Sequence, residues 1–310
     1  MAIVYHAGQI AVQNEANSRP AADMLAERLG GRSPRNLDFY ANADLFVFAT
    51  VAGDSSLRFG ALSGAAPLVR AVDGGVILPP DLVFDGNPVQ IGAIAINLEQ
   101  RKRARINGPL IREGERLVVR ANEEIVNCRK YIAPSIALEA GLHAGPEARE
   151  PVAIDDARLA DVVARGETAF LASVSPSGQP DVSHRGGPLG FISLDAGAGR
   201  LMWPELIGNG MFKSTGNVRA TGTASLLVLD LEAGDAYELS GRAAYRTVLR
   251  YDAPRDKGLW PHSEDFPTQG EMTLEIAQAT LLRRLILPRQ RVLGAAKITS
   301  CSPAEDQVPR

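Results

Sequence analysis

The residues best equipped for chemistry lie in the second half of the chain. His184-Arg185-Gly186-Gly187 joins an imidazole and a guanidinium to two residues without side chains. Gly208-Asn209-Gly210-Met211-Phe212-Lys213-Ser214-Thr215-Gly216-Asn217 offers a lysine and a hydroxyl beside exposed backbone N–H groups. Arg185 presents a planar fork for two phosphate oxygens, Lys213 a point charge and Ser214 a hydroxyl donor, which together neutralise a dianion better than either cation alone. Asn209 is placed to cap a short helix whose N-terminus adds further donors to an anion. Gly186 and Gly187 leave space for a flat ring against the strand backbone, and Trp203 or Phe212 can wall one face of it. A phosphorylated planar ligand suits this set. The same residues also suit a plain structural role, with the glycines forming a bulge, Lys213 in solvent and Trp203 in the core.

Other chemistries fit less well. Asp181, Ser183 and His184 hold the residue types of a hydrolase triad, but neighbours on a strand project to alternate faces, and no Gly-x-Ser-x-Gly elbow occurs. Lys213-Ser214 ends like a nucleotide-binding loop, yet Phe212 stands where that loop needs glycine, and no Gly-x-Gly-x-x-Gly follows a strand. Arg101, Arg103 and Arg105 are spaced to share one strand face, a local positive ribbon that either reaches a ligand phosphate, with Arg103 as the candidate, or is a solvated face balanced by Glu99, Glu113 and Glu115. Cys128 has cationic neighbours in Arg129 and Lys130, which favour a thiolate, although most such cysteines only pack.

The elements that position these residues are short strands. Leu45 to Val51, Ala93 to Leu98, Ala169 to Val174 and Ala224 to Leu231 are apolar or β-branched runs bounded by Gly, Pro, Asp or Ser, whereas Arg19 to Leu29 and Asp155 to Arg165 carry helical spacing. One pattern occurs twice. Phe48-Ala49-Thr50-Val51, a turn at Gly53-Asp54-Ser55 and Ser63-Gly64 recur as Leu171-Ala172-Ser173-Val174, a turn at Pro176-Ser177-Gly178 and Gly186-Gly187, at a constant offset of 123 positions. Val76 to Pro79 matches Leu201 to Pro204 at an offset of 125, and Asn97-Leu98-Glu99 matches Asp230-Leu231-Glu232 at 133. This ordered series indicates duplication of a small barrel. The second copy holds eight more residues between its fourth and fifth strands, and at His184, Arg185 and Trp203 it keeps polar or aromatic groups where the first has Ala61, Leu62 and Leu78. The Gly- and Pro-bearing stretch Gly141 to Pro151 reads as a linker. It divides the chain into 1–150, a degenerate barrel with an N-terminal helical segment, and 151–310, a ligand-binding barrel whose tail from Leu274 ends in a fraying polar stretch, Ser302 to Arg310.

Composition narrows the class. The 310 residues are 45% hydrophobic and 22% charged, with 33 Lys+Arg against 36 Asp+Glu and a net charge of -3. A mean hydropathy of -0.05 and the lack of a long apolar run argue against a membrane span, and the charge balance against nucleic acid as a partner. Two cysteines and four histidines supply neither a disulfide scaffold nor an evident metal site, and no basic segment followed by an apolar one marks a signal peptide. A cytoplasmic protein is expected.

At the residues named above, the second half resembles the pyridoxamine 5'-phosphate oxidase-like family of FMN-binding split β-barrels. The likeness runs from Asp181 to Phe191, through Trp203-Pro204 and Gly208 to Asn217, to Leu227 to Asp230 and Leu239 to Arg242. The first half is similar to the amino-terminal portion of a two-barrel subgroup, through His6-Ala7-Gly8-Gln9, Arg101 to Gly108 and Asn127 to Ile132. The resemblance implies a mainly β (α+β) fold of two tandem split barrels with a few short helices, and FMN in a groove between barrels. It places Ser183, His184, Arg185 and Gly186 beside the flavin, Trp203 and Pro204 along its ring or ribityl chain, and Lys213 and Ser214 near its phosphate, while Gly187, Asn209, Asn217 and Arg103 complete the candidate cofactor-binding set. It further implies an oxidoreductase acting on a small organic redox substrate; a cofactor between barrels requires that the two halves pair within one chain or that two chains pair, and a homodimer is expected. A non-catalytic carrier of flavin, heme or deazaflavin F420 is the alternative. The tail from Leu274 to Arg310 lacks the arginine- and histidine-bearing substrate motif of the vitamin B6 enzyme, so that substrate is not expected.

Overall fold

A strand that is apolar at every position needs cover on both faces. In the computed structural model, which describes residues 3–29, 34–52, 56–82, 84, 89–248 and 267–292, such strands form the centre of the molecule. Three helices, α1 (Ala7–Glu15), α2 (Arg19–Leu29) and α3 (Pro34–Ala41), precede β1 (Leu45–Val51), β2 (Leu57–Gly64), β3 (Arg70–Val72), β4 (Gly75–Leu78) and β5 (Val89–Asn97). Next come β6 (Lys102–Glu113), β7 (Arg116–Arg120), β8 (Glu123–Asn127), β9 (Ser135–Ala137) and β10 (Leu142–Gly145). The second half runs β11 (Ala148–Pro151), α4 (Ala157–Arg165), β12 (Thr168–Val174), β13 (Pro180–Gly186), β14 (Ser193–Asp195) and β15 (Arg200–Leu206). It ends with α5 (Lys213–Thr221), β16 (Thr223–Asp230), β17 (Asp235–Thr247), β18 (Thr268–Arg283) and β19 (Arg289–Arg291).

The duplication is a repeat of topology. One sheet runs β10-β2-β1-β5-β6-β7-β4-β3 and the other β13-β12-β16-β17-β18-β15-β14. Leaving β10 aside, the two orders match strand for strand, and the starts of α3 and α4, β2 and β13, and β3 and β14 all keep the offset of 123. Neighbouring strands are antiparallel throughout, as hairpin connections require. Among the described residues α5 has no counterpart in the first copy, which locates the eight extra residues. These are two curled, mainly β split barrels with few helices.

Side-chain alternation explains how they pack. On β1, Phe46 and Phe48 fill the first barrel while Leu45, Val47 and Ala49 join a shared layer. On β12, Ala169 and Leu171 fill the second barrel while Phe170 and Ala172 face the same layer. The barrels are therefore fused through a continuous apolar layer. Gly92 on β5 lies where a Cβ would strike the backbone of Pro180 and Asp181 on β13, so that close crossing requires glycine.

Three expectations change. The stretch Gly141 to Pro151 is no linker, because β10 pairs with β2 of the first sheet and β11 with β18 of the second. The tail from Leu274 is no appendage: as far as Arg283 it is part of β18, a 16-residue strand bonded to β17, β15 and β11. Arg101 has a positive φ of 57° in the turn before β6, which takes it off the face shared by Arg103 and Arg105. The turn at Gly53-Asp54-Ser55, Cys301 and the end Ser302 to Arg310 lie outside the described residues.

The N-terminal segment docks on the second barrel. His6 caps α1, accepting from Gly8 N through Nδ1 while Gln9 Oε1 accepts from His6 N. Gly8 meets Gly216 of α5 closely enough to exclude a Cβ, and Val12 and Ala16 join the core of the second barrel.

Candidate functional site in the cleft between the barrels

Strand β13 ends its sheet and lies across β5 and β6 of the other barrel. Period-two alternation puts Asp181, Ser183 and Arg185 on one face and Val182 and His184 on the other. Arg185 Nη1 donates to Ser183 Oγ (2.8 Å), Ser183 and Ser214 share a hydroxyl bond (2.8 Å), and Ser214 Oγ donates to Asp181 Oδ2 (2.8 Å). Because the proton of Ser214 goes to the carboxylate, Ser183 is the donor between the two hydroxyls. Arg105 Nη1 (3.1 Å) and Asn107 Nδ2 (3.1 Å) approach Asp181 from β6, so this network bridges the barrels. Burial alone would raise the Asp181 carboxyl, but Arg105, Asn107, Lys213 and Ser214 together hold it below the usual range.

On the other face, Arg103 Nη1 lies 2.6 Å from His184 Nδ1. A guanidinium only donates, so Nδ1 is the acceptor and a neutral ring carries its proton on Nε2. Burial, then the charges of Arg103 and Arg185, pushes the imidazole well below its ordinary range, which keeps it neutral. Arg103 also donates to the carbonyls of Cys128 (2.9 Å) and Lys130 (3.2 Å). Its burial lowers the guanidinium, while the Cys128 sulfur acts in the opposite direction.

Both faces border one cavity of about 110 Å³. Of the expected residues it is lined by Arg103, His184, Arg185, Gly186, Pro204, Asn209, Lys213 and Ser214. Ser183 lies behind the wall and couples Arg185 to Ser214. Trp203 does not wall the cavity: it is a fully buried core residue whose Nε1 donates to Glu205 (3.1 Å), because its strand turns that side chain into the second barrel. Asn217 is buried in α5, bonded to His6, Gln9 and Ser173, and anchors the N-terminal segment. Gly187 makes room for the Phe191 ring, and Gly186 for the carbonyl of Tyr131, so at both places the close neighbour is protein. Asn209 does not cap α5. Phe212 is the N-cap, in a left-handed conformation with no side-chain cap bond, and Asn209 instead accepts from Met211 N (3.1 Å).

The three expected phosphate donors each hold a carboxylate: Arg185 holds Glu205 (2.6 Å), Lys213 holds Glu123 (2.8 Å), and Ser214 holds Asp181. Sequence reasoning missed these acids because strand register decides which charges meet. It also missed the N-terminal clamp, in which Gln9 donates to Lys213 O, Gln13 to Met211 O and Ser18 to Gly210 O. The signal available was the His-x-x-Gln spacing of a capping box at His6 and Gln9.

The donors fit a phosphorylated ring ligand. Arg103, Arg105, Arg185 and Lys213 face three partner carboxylates, Asp181, Glu205 and Glu123, leaving one positive charge in excess. The uncapped N-terminus of α5 adds about half a charge, close to the roughly −1.5 to −2 of a phosphate monoester. Three lining residues keep buried polar atoms without a partner among the described residues, His184 Nε2, Arg105 Nε and Asn127 Oδ1. The enclosed volume is below the roughly 300 Å³ of a typical cofactor pocket, so a tricyclic ring also needs the cavity mouth and movement of the Arg and Lys side chains.

Residues 156–260 match the family model of pyridoxamine 5'-phosphate oxidase. No curated protein sequence matches the chain. Among solved structures it is similar to HupZ of Group A Streptococcus, at 16% identity over 40% of this chain and 90% of that one, with a TM-score of 0.31. A pyridoxamine 5'-phosphate oxidase-related, FMN binding protein of Nostoc punctiforme is 14% identical over 43% and 87%, with a TM-score of 0.28. A conserved hypothetical protein of Mycobacterium tuberculosis is 17% identical over 50% and 96%, with a TM-score of 0.30. Over residues 156–260, the second barrel is thus of the pyridoxamine 5'-phosphate oxidase-like family of split barrels.

Proposed function

We propose that the cleft between the barrels binds FMN and that the protein is an FMN-dependent oxidoreductase acting on a small organic substrate. One observation carries this reading: among the described residues, buried Arg103 has no carboxylate partner, and the neutral His184 that it fixes has no acceptor for its Nε2 proton. A buried cation and an unused donor side by side call for an electron-rich partner, such as the carbonyl edge of a flavin ring. The bound flavin supplies exchange of a hydride or electrons with the substrate. Arg103 and His184 orient its polar edge and favour negative charge there, with the imidazole proton held at Nε2. Lys213, Ser214 and the backbone N–H groups opening α5 hold the phosphate, exchanging their carboxylate partners for it. Arg185, tied to Glu205, and Pro204 line the approach.

The proposal extends to organisation. The division into 1–150 and 151–310 is kept as two duplicated units, with the first covering the site of the second, and two chains pair as a homodimer in the cytoplasm. Absorbance of the purified protein in the near-ultraviolet and blue, with mass identification of the released compound, tests the cofactor. Arg185→Ala and Ser214→Ala should each weaken FMN retention by about tenfold or more, as expected for loss of a charged or hydroxyl hydrogen bond to an anion. Leu62→Ala, at the matching position of the first barrel, should retain FMN. Equal retention in all three variants would overturn the assignment, and retention without turnover across nicotinamide reductants and quinone acceptors would reduce it to a carrier.

A further inference from the structure

We propose that Cys128 is a nucleophilic thiol of the cleft, which reacts with small disulfides to form a mixed disulfide inside the ligand site. The regulatory consequence, closure of the site by oxidation, rests on the ligand-binding reading above. The reactivity stands without it.

The argument begins with charge. Three cations at the cleft have acidic partners: Arg105 with Asp181 (3.1 Å), Arg185 with Glu205 (2.6 Å) and Lys213 with Glu123 (2.8 Å). Arg103, only 9% exposed, has none among the described residues. A buried cation needs a counter-charge, and neutral His184 cannot supply one. The Cys128 sulfur, 3.9 Å from Arg103 Nη2, is a group in reach that can carry a negative charge. Two bonds from Arg103 to the carbonyls of Cys128 and Lys130 fix the guanidinium on that turn, so the contact is built in. Cys128 is partly exposed, in no disulfide among the described residues, and lines the cavity, unlike an inert core cysteine. An independent observation marks the same place as one that accepts a ligand: His184, 5% exposed and on the same wall, keeps Nε2 buried without a partner.

The step balances without further reagents. The Cys128 thiolate attacks one sulfur of a small disulfide, a new S–S bond forms as the old one breaks, and the second sulfur leaves as a thiolate that takes a proton from water. The disulfide is the oxidant, and a thiol reverses the step.

The test uses the full chain with Cys301→Ser, so that Cys128 is the one thiol, and 5,5'-dithiobis(2-nitrobenzoic acid) as the disulfide probe, with no flavin added. At pH about 6.5, where an ordinary thiol is mostly protonated, native Cys128 should react about tenfold or more faster than the same chain unfolded in urea. Arg103→Leu should remove that advantage and Arg103→Lys should restore most of it. A native rate no higher than the unfolded one overturns the proposal, as does a native rate unchanged in Arg103→Leu. If Arg103→Leu does not fold, the native and unfolded comparison decides alone. Because flavin is absent from the assay, failure here leaves FMN binding untouched.

Discussion

Two regions of the barrel interface occupy matching positions and differ in what they do with charge. At one, Arg105 of β6 meets Asp181 of β13. At the other, reached by offsets of 133 and 123, Glu238 of β17 faces Arg58 of β2, the same pairing with its signs reversed. The second region is closed. Glu238 accepts from Phe59 N (2.7 Å) and pairs with Arg149 (3.4 Å), Arg149 also donates to Phe59 O, and β10 covers the edge of β2. In the first region β13 keeps that edge, and polar atoms of His184, Arg105 and Asn127 are left without partners among the described residues. Matching positions of the two barrels thus differ: at one the charged groups are covered by protein, and at the other buried polar atoms border a cavity.

The carboxyls record the difference. Burial raises Glu238, with Phe59 N, Arg149 and Arg58 only partly offsetting it, whereas the neighbours of Asp181 overcome its burial. The fold therefore favours ionised Asp181 and disfavours ionised Glu238. Asp181→Ala, which strands the Arg105 charge, should cost about 3–5 kcal/mol in denaturant unfolding at neutral pH, the largest single effect expected. Leu62→Ala, cutting a fully buried side chain of the first barrel, should cost about 2–5 kcal/mol without touching the cleft.

Acid should act through His184. Its folded pKa lies below the 6.5 of an exposed imidazole, so below that pH the unfolded chain binds a proton that the folded chain does not. Stability should be fully present above about pH 6.5 and fall as the pH drops toward the folded value. His184→Gln should flatten that part of an unfolding-against-pH curve, and an unchanged slope would place the loss elsewhere. The smallest effect belongs to Glu238→Gln. Because the raised carboxyl contributes stability below its unfolded pKa of 4.5 and loses it as the pH rises, the variant should lie within about 1 kcal/mol of the parent at pH 7 and compare less well at pH 4. A loss matching that of Asp181→Ala would erase the distinction between the two regions.

The sequence revealed what depends on local pattern. The apolar runs at Leu45 to Val51 and Ala169 to Val174 are strands, and Arg19 to Leu29 and Ala157 to Arg165 are helices, because their periodicity is local. The offsets between the halves mapped onto equivalent strands for the same reason. Gly141 to Pro151 misled because Gly and Pro also suit short edge strands, and pairing with β2 and β18 comes from distant chain. Trp203 was misplaced because an aromatic on a strand says nothing about which face is turned to a ligand. Arg103, Arg185, Lys213 and Ser214 were legible as residue types, but their respective partners Cys128, Glu205, Glu123 and Asp181 come from separate parts of the chain, which only the folded register brings together.

A crystal structure of the protein grown with FMN tests the central claim most directly. It should show the flavin phosphate at the start of α5, beside Lys213 and Ser214, and the polar edge of the ring within hydrogen-bond distance of His184 Nε2 or Arg103. An empty cleft, with Arg185 still on Glu205 and Lys213 on Glu123 at saturating FMN, would contradict it.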